Sequence, residues 1–449
     1  MPESMQSRRA TTFSTLFHDY EGPVFAIRLW DGWLWSSSSI EKPVCTIVVE
    51  SPRAFQSLVA EPNEITLGEA FIHGDLDVEG DIFSVFSIAE HIFNYPRPLR
   101  RQILEKAYAT FYGLGQWFKH GSRHSLQRDR ASISYHYDQP VDFFEPWLGQ
   151  SLVYSCAYFQ NAEDTLDDAQ ERKLDLICRK LRLQPKERFL DIGCGWGSLV
   201  LHAANKYHAY AQGITLSKEQ EQVAKQRIEQ TSLAQRCGIE LRDYREPDGV
   251  QHTFDKIASV GMFEHVGLKN LAQYFSTVRK FLRPGGVFLN HGITRSYTSE
   301  NRKVSFVDRY VFPDGQLVTL SQVLEAAESR GLEVRDVENL REHYELTLRR
   351  WVEGLRRNSG KLLQRVSGVT YRTWLLYMAG SAAAFRRGDI AVHQVLFSRP
   401  DRGRSQLPLT REDWYSRSFS SQEWKFDESA DGDVWAADRP AGGRAGFAH

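Results

Sequence analysis

What the chain has little of narrows its class before any motif is read. Cysteine is sparse and scattered: Cys45, Cys156, Cys178, Cys194 and Cys237 form neither a metal-ligand spacing nor an even disulfide framework, so a reducing compartment is expected. Long apolar runs are missing, with no window near the roughly 18 uninterrupted apolar residues of a membrane span. Residues 1–12 are polar and lack the apolar core of a signal peptide, so a cytosolic protein is expected. Neither charge is in real excess: 56 Lys and Arg face 57 Asp and Glu, which gives no global field for nucleic acid, and no such partner is expected.

What is present is length and order. A chain of 449 residues exceeds a typical single core, and the expected division is a domain at 1–115, a basic linker at 116–130, a second domain at 131–400 and a polar tail at 401–449. In the first domain, alternating apolar residues in 24–30, an Asp31-Gly32 turn and Thr46-Ile47-Val48-Val49 predict antiparallel strands. Residues 66–81 carry glycines and alternating acids but lack the spacing of a calcium loop, so a helix-to-strand turn is predicted there and no metal site. Segments 82–90 and 99–118 have helical periodicity. In 116–130, aromatics mix with Lys119, Arg123, Arg128 and Arg130, which fits a solvated linker or a hinge touching anionic headgroups.

The second domain is organised around Phe189-Leu190-Asp191-Ile192-Gly193-Cys194-Gly195-Trp196-Gly197-Ser198-Leu199. An apolar run, three glycines at alternate positions and a helix-forming segment in that order predict a strand turning sharply into a helix, whose N-terminus favours an anionic ligand group. A nicotinamide site wants the third glycine three residues after the second and an acid closing the next strand; here the third follows after two, and 209–213 runs into Ile214-Thr215-Leu216-Ser217. That shifts the reading towards S-adenosylmethionine. Helices at 164–181, 219–230 and 271–282 alternate with strands at 209–213, 254–260 and 287–291, with a Pro284-Gly285-Gly286 turn, and such alternation predicts a parallel sheet. Glu264 and His291 then fall at strand ends, on the same edge as the glycine loop. A helix at 321–329, a strand at 332–337, a helical insertion at 342–385 and a last strand at 390–397 follow, and the end from about Asp427 is expected to be disordered.

These residues resemble the S-adenosylmethionine-dependent cyclopropane-fatty-acyl-phospholipid synthases and the related mycolic acid cyclopropane synthases. The resemblance rests on Tyr154-Ser155-Cys156-Ala157-Tyr158-Phe159, the glycine loop, Gly213-Ile214-Thr215-Leu216-Ser217-Lys218-Glu219-Gln220, Met262-Phe263-Glu264-His265-Val266-Gly267, His343-Tyr344-Glu345-Leu346-Thr347-Leu348 before Trp351, and Ala383-Ala384-Phe385-Arg386 before Val392-His393-Gln394-Val395. It implies an α/β fold: a Rossmann-like class I methyltransferase sheet with helical insertions, preceded by a smaller α+β domain that engages lipid and dimerises. It implies S-adenosylmethionine against Tyr154 and Ser155, the loop residues Asp191, Gly193, Cys194, Gly195 and Gly197, the residues Thr215, Leu216, Ser217 and Gln220, and the pair Tyr244-Arg245. It implies bicarbonate held by Cys156, Glu264, His291, Ile293 and Tyr344, with Glu264, Tyr344, His291 and Cys156 as the catalytic group.

The reaction implied is methylene transfer to the cis double bond of an acyl chain in a membrane phospholipid, giving a cyclopropane, by a homodimer associated with the inner face of the membrane. A cation develops on the acyl chain, and Tyr158, Phe159, Phe263 and Tyr310 are candidates to stabilise it through their ring faces. Bicarbonate is the implied base that removes a proton from the transferred methyl. An anion beside Glu264 needs either backbone N–H groups near Cys156 and Ile293, helped by His291 and Tyr344, or a Glu264 that shares its proton. Segment 294–317 is expected to cover the acyl pocket. Where family members have an active-site cysteine this chain has Ser381, a far weaker nucleophile, so a covalent thiol route is not expected. Two alternatives stay open: a methyl- or methylene-branched product from the same cation, and a silent lipid-binding protein on the same fold.

Overall fold

The structure, a computed structural model, describes residues 3–52, 54–55, 63–94, 140–246, 253–297, 305–312 and 316–415. The basic linker 116–130, the helix expected at 99–118, the domain start at 131 and the tail from Asp427 lie outside the described residues.

The N-terminal part packs helix α1 (Glu3–Leu16) on a four-stranded sheet of order β2-β1-β3-β4, with β1 Phe25–Leu29, β2 Leu34–Ser36, β3 Cys45–Val49 and β4 Leu76–Gly80. The hairpin at Asp31-Gly32 is present, with Gly32 at φ 81°, and β1 pairs with β2 antiparallel. The expectation of antiparallel strands throughout fails at the centre, where β1 and β3 run parallel with Ile27 opposite Ile47. Alternation fixes which face a strand buries, not the direction of its neighbour. Helix α2 (Glu64–Ile72) starts where Asn63 Oδ1 accepts from the amides of Ile65 and Thr66, and runs into β4 as the helix-to-strand turn predicted for 66–81. Helix α3 (Val85–Asn94) completes this part.

After helix α4 (Val141–Leu148), a seven-stranded sheet has the order β10-β11-β9-β8-β5-β6-β7. Its strands are β5 Arg188–Ile192, β6 Tyr210–Thr215, β7 Cys237–Leu241, β8 Phe254–Val260, β9 Leu282–Arg295, β10 Glu333–Asn339 and β11 Ile390–Ser398. Helices α5 (Leu166–Leu181), α6 (Ser198–Tyr207), α7 (Lys218–Glu229), α8 (Leu271–Phe281), α9 (Phe306–Tyr310) and α10 (Leu320–Glu328) link them, and α11 (Arg341–Arg357) and α12 (Gly368–Arg387) form the helical insertion. This is the Rossmann-like arrangement expected, with one departure from all-parallel pairing: β11 is antiparallel to both β9 and β10. The turn expected at Pro284-Gly285-Gly286 lies inside β9, because Gly285 N–H donates to Arg399 O at 2.7 Å and Gly286 O accepts from Arg399 N at 3.0 Å. Those bonds extend the ladder through the bend.

A single apolar cluster runs from the small sheet (Phe25, Ile72, Ile82, Ile88) through α4 (Trp147) to α11 and α12 (Trp351, Met378). Two arginines tie the parts further: Arg372 donates to the carbonyls of Phe71 and Leu76, both at 2.6 Å, and Arg356 donates to Gly80 O at 2.7 Å. Residues 408–415 belong to a separate unit and form a short helix, Glu412–Tyr415, with Trp414 buried.

Candidate active site

A pocket opens at the carboxyl ends of β5, β6 and β8, where an open α/β sheet binds its ligand. Its first wall is the glycine loop. Gly193 sits at φ 82°, and a Cβ there would meet Met262 Cβ at 2.6 Å, so only glycine lets β5 turn this close to the end of β8. The amides of Gly193 and Cys194 both donate to Ile214 O, at 2.9 and 3.0 Å, which fixes the loop to the neighbouring strand.

Eleven of the thirteen residues expected around S-adenosylmethionine line this pocket: Tyr154, Ser155, Asp191, Gly193, Cys194, Gly195, Thr215, Leu216, Gln220, Tyr244 and Arg245. Two do not. Gly197, at φ 80°, is the residue from which α6 starts, and Ser217 is the fully buried N-cap of α7, its Oγ accepting from Gln220 N at 3.3 Å. Thr215 Oγ1 donates to Gln220 Oε1 at 2.8 Å, where a nicotinamide site would carry its acid. Asp243 holds Arg245 in place by accepting from its backbone N, Nε and Nη2.

Lys173 is the residue that sequence reasoning missed. It lines the pocket from α5, is almost wholly buried, and donates from Nζ to Ser155 Oγ at 2.8 Å. Burial holds its ammonium down to about 8, while burial pushes the Asp191 carboxyl up to about 7 against the pull of the Lys173 charge. Asp191 Oδ1, buried and without a hydrogen-bond partner, is an open acceptor for a cationic group. A signal existed: Gln170, Lys173, Ile177 and Lys180 lie on one stripe of an amphipathic helix whose other members are apolar.

Behind the pocket lies a second polar group. Glu264, in the turn Phe263–His265 after β8, accepts the Ile293 N–H on Oε1 at 2.7 Å, while Oε2 is buried without a partner. Burial raises its carboxyl to about 7. His291 is buried next along the same face of β9; its Nε2 has no partner, and burial together with the charges of Lys173 and Lys180 keeps the ring neutral, far below its usual range. Cys156 donates from Sγ to Ala157 O at 3.2 Å and Leu340 O at 3.8 Å, and burial drives the thiol up, so it remains protonated. Leu340 in turn donates from its N–H to Val392 O, opposite Ile293, and accepts from Tyr344 N, so Cys156, Tyr344 and Ile293 meet around one residue. Backbone donors there are already used: Ile293 N–H goes to Glu264, and Ala157 N–H to Thr347 Oγ1 at 3.0 Å. Glu264 Oε2 and His291 Nε2 are thus buried polar atoms without a partner at this corner, although Glu264, His291, Cys156, Ile293 and Tyr344 are not among the residues that line the pocket itself.

The four aromatics expected around a cation are not gathered. Phe263 packs on Tyr274 and Phe275, Phe159 sits with Ala157 and Ala169, Tyr158 stacks on His343 at 4.6 Å, and Tyr310 stacks on Phe306. An aromatic wall of other residues stands beside the pocket instead: Tyr154 and Trp196 line it, and Phe144, Trp147, Trp351 and Trp374 extend it. Tyr344 joins through Trp351 at 6.0 Å. Tyr377, partly buried on α12, hydrogen-bonds the side chains of Tyr154 and Ser381, so Ser381 reaches the pocket through two phenols. From segment 294–317, Phe312 stands between His265 and Tyr377, at 5.7 and 5.8 Å.

Comparison with known proteins gives the family. The model for "Mycolic acid cyclopropane synthetase" matches residues 124–395, and a domain of unknown function matches residues 12–93. A probable fatty acid methyltransferase of Pseudomonas putida is 41% identical over 87% of this chain and 95% of its own length. The cyclopropane-fatty-acyl-phospholipid synthase of Escherichia coli is 39% identical over 59% of this chain and 66% of its own. Among solved structures, the mycolic acid cyclopropane synthase CmaA1 complexed with SAH and CTAB superposes with a TM-score of 0.56 at 34% identity, covering 60% of this chain and 97% of that one. The chain therefore belongs to the mycolic acid cyclopropane synthetase family and is an S-adenosylmethionine-dependent methyltransferase.

Proposed function

We propose that the protein transfers a methylene group from S-adenosylmethionine to the cis double bond of a fatty acyl chain in a membrane phospholipid, giving a cyclopropane, with bicarbonate as the base. The observation that carries this reading is the pair Glu264 Oε2 and His291 Nε2, two buried polar atoms without partners beside the sheet-edge pocket. Bound there, S-adenosylmethionine supplies an electrophilic methyl and bicarbonate an acceptor for its proton.

The chain's own residues fit both groups. Tyr154, Ser155, the glycine loop, Thr215, Leu216, Gln220, Tyr244 and Arg245 would hold the cofactor, with Asp191 Oδ1 open to its ammonium group. Glu264 in its protonated form and His291 with its proton on Nε2 are both donors, which removes the repulsion that an ionised Glu264 would set against an anion. Cys156, Ile293 and Tyr344 close the same corner. The aromatic wall from Trp196 to Trp374 excludes water and presents ring faces to a developing cation.

A methyl- or methylene-branched product is the second reading. It is favoured by one observation: two relatives that cover 87% and 80% of this chain are named as probable fatty acid methyltransferases rather than synthases. Incubation with S-adenosylmethionine and vesicles of a cis-unsaturated phospholipid, followed by mass spectrometry and proton NMR of the acyl chains, separates the two. Gain of one CH₂ with loss of vinyl signals and new upfield ring protons supports the cyclopropane; the same gain with a methylene or vinyl signal supports the branch. Vesicle binding without cofactor turnover overturns both. A membrane-associated homodimer is proposed with this reading, and gel filtration giving only monomer counts against it.

A further inference from the structure

Lys180, on the same stripe of α5 as Lys173, is buried and far from solvent, yet the pocket does not include it. Its ammonium meets Glu338 of β10 and donates to Gln394 Oε1 of β11 at 2.7 Å. The other end of that amide, Gln394 Nε2, lies 3.2 Å from His291 Nδ1. An ammonium can only donate, so the atom facing Lys180 is the amide oxygen and the atom facing His291 is the NH₂ group. An NH₂ group donates, so Nδ1 accepts, and the single proton of a neutral imidazole resides on Nε2.

We propose that the chain Glu338–Lys180–Gln394–His291 is a positioning device that holds His291 as an Nε2–H donor for the anion bound beside Glu264. Its role rests on the anion reading given above. None of the three added residues touches that anion; each acts through the next. Without Lys180, the Gln394 amide loses the contact that sets its orientation, and His291 has no fixed tautomer. The device runs across three elements, α5, β10 and β11, so it also registers the last antiparallel strand against β9 at the site.

The test uses the full-length protein with ¹⁵N-labelled histidine rings, the His291 signals being identified by their loss in His291→Gln. The wild type is expected to show a protonated Nε2 and an unprotonated Nδ1; the reverse tautomer overturns the proposal without needing any variant. Gln394→Glu, which can only accept when ionised, is expected to move a proton to Nδ1, and Lys180→Met to give a mixture of tautomers. An unchanged His291 spectrum in folded Gln394→Glu overturns the proposal. Thermal unfolding with and without bicarbonate forms the second arm. Wild-type stabilisation by bicarbonate that is reduced tenfold or more in apparent affinity by Gln394→Glu supports the device as an anion-site element. The expected tautomers with no effect of bicarbonate on the wild type uphold the hydrogen-bond chain and overturn its anion role, a failure distinct from absence of product.

Discussion

At the scale of single residues, the site stores two protonation equilibria that act in opposite ways. Glu264 has a carboxyl raised by burial from 4.5 to about 7, so the folded chain keeps a proton that the unfolded chain releases. Its favourable contribution is full below pH ~4.5 and is lost as pH rises through about 7, a swing of roughly 3 kcal/mol. Glu264→Gln is expected to flatten that dependence: thermal unfolding above pH 7 moves to higher temperature than in the wild type, while turnover falls by about 10²-fold or more through loss of the anion site. Lys173→Met removes the charge that draws the Asp191 carboxyl down, so Asp191 is expected to stay neutral at pH 7. S-adenosylhomocysteine binding should weaken about tenfold at pH 7, ~1.4 kcal/mol, and recover as the pH is raised towards 9, which calorimetry can follow. The stripe that carries Lys173 and Lys180 was easy to pass over because a lysine in an amphipathic helix ordinarily marks its solvent face; Glu264 showed itself by following the end of β8, whereas His291, expected at a strand end, lies inside β9, which continues to Arg295.

At the scale of elements, the contact between α2 and α9 joins the small N-terminal sheet to the segment proposed to cover the acyl chain. Phe306 N–H donates to Glu64 Oε1 at 2.9 Å, Tyr310 OH donates to Glu69 Oε1 at 2.7 Å, and Arg309 pairs with Glu69 at 3.1 Å. Gly68 makes this approach feasible, since a Cβ there would lie 2.4 Å from the Phe306 ring. Gly68→Ala should gain ~1 kcal/mol of helix propensity and lose more, about 1–3 kcal/mol, to overpacking. The expected net result is a lower unfolding temperature and slower turnover on vesicles; an unchanged enzyme would show that α9 does not depend on α2. None of this was legible in the sequence, where Gly68 read as turn punctuation. Long, strongly patterned elements were legible: β8 occurs at 254–260 as expected, and α5 begins within two residues of its predicted start. The parallel pairing of β1 with β3 was not, because short strands carry no record of their partners.

At the scale of the whole molecule, the described residues on either side of the expected 116–130 linker share one core. One apolar cluster spans Phe25 to Met378, and it includes both the small sheet and the aromatic wall beside the pocket. Cutting the chain between residues 94 and 140 should therefore leave both pieces with exposed apolar faces, detectable as dye binding and aggregation that mixing the pieces relieves.

The two carbonyls capped by Arg372 lend this arrangement a direction in time. Phe71 O, which the Gly74 N–H already reaches at 3.1 Å, and Leu76 O gain a donor from a residue 301 and 296 positions later, so during synthesis this tie between the first sheet and the helical insertion must wait for nearly the entire chain. At a ribosomal pace of about 5–20 residues per second, that is an interval of tens of seconds. Nascent chains arrested before Arg372 emerges should leave 70–77 open to protease, and chains arrested well after it should protect the same peptide. The N-terminal sheet is first to be made and among the last to be finished.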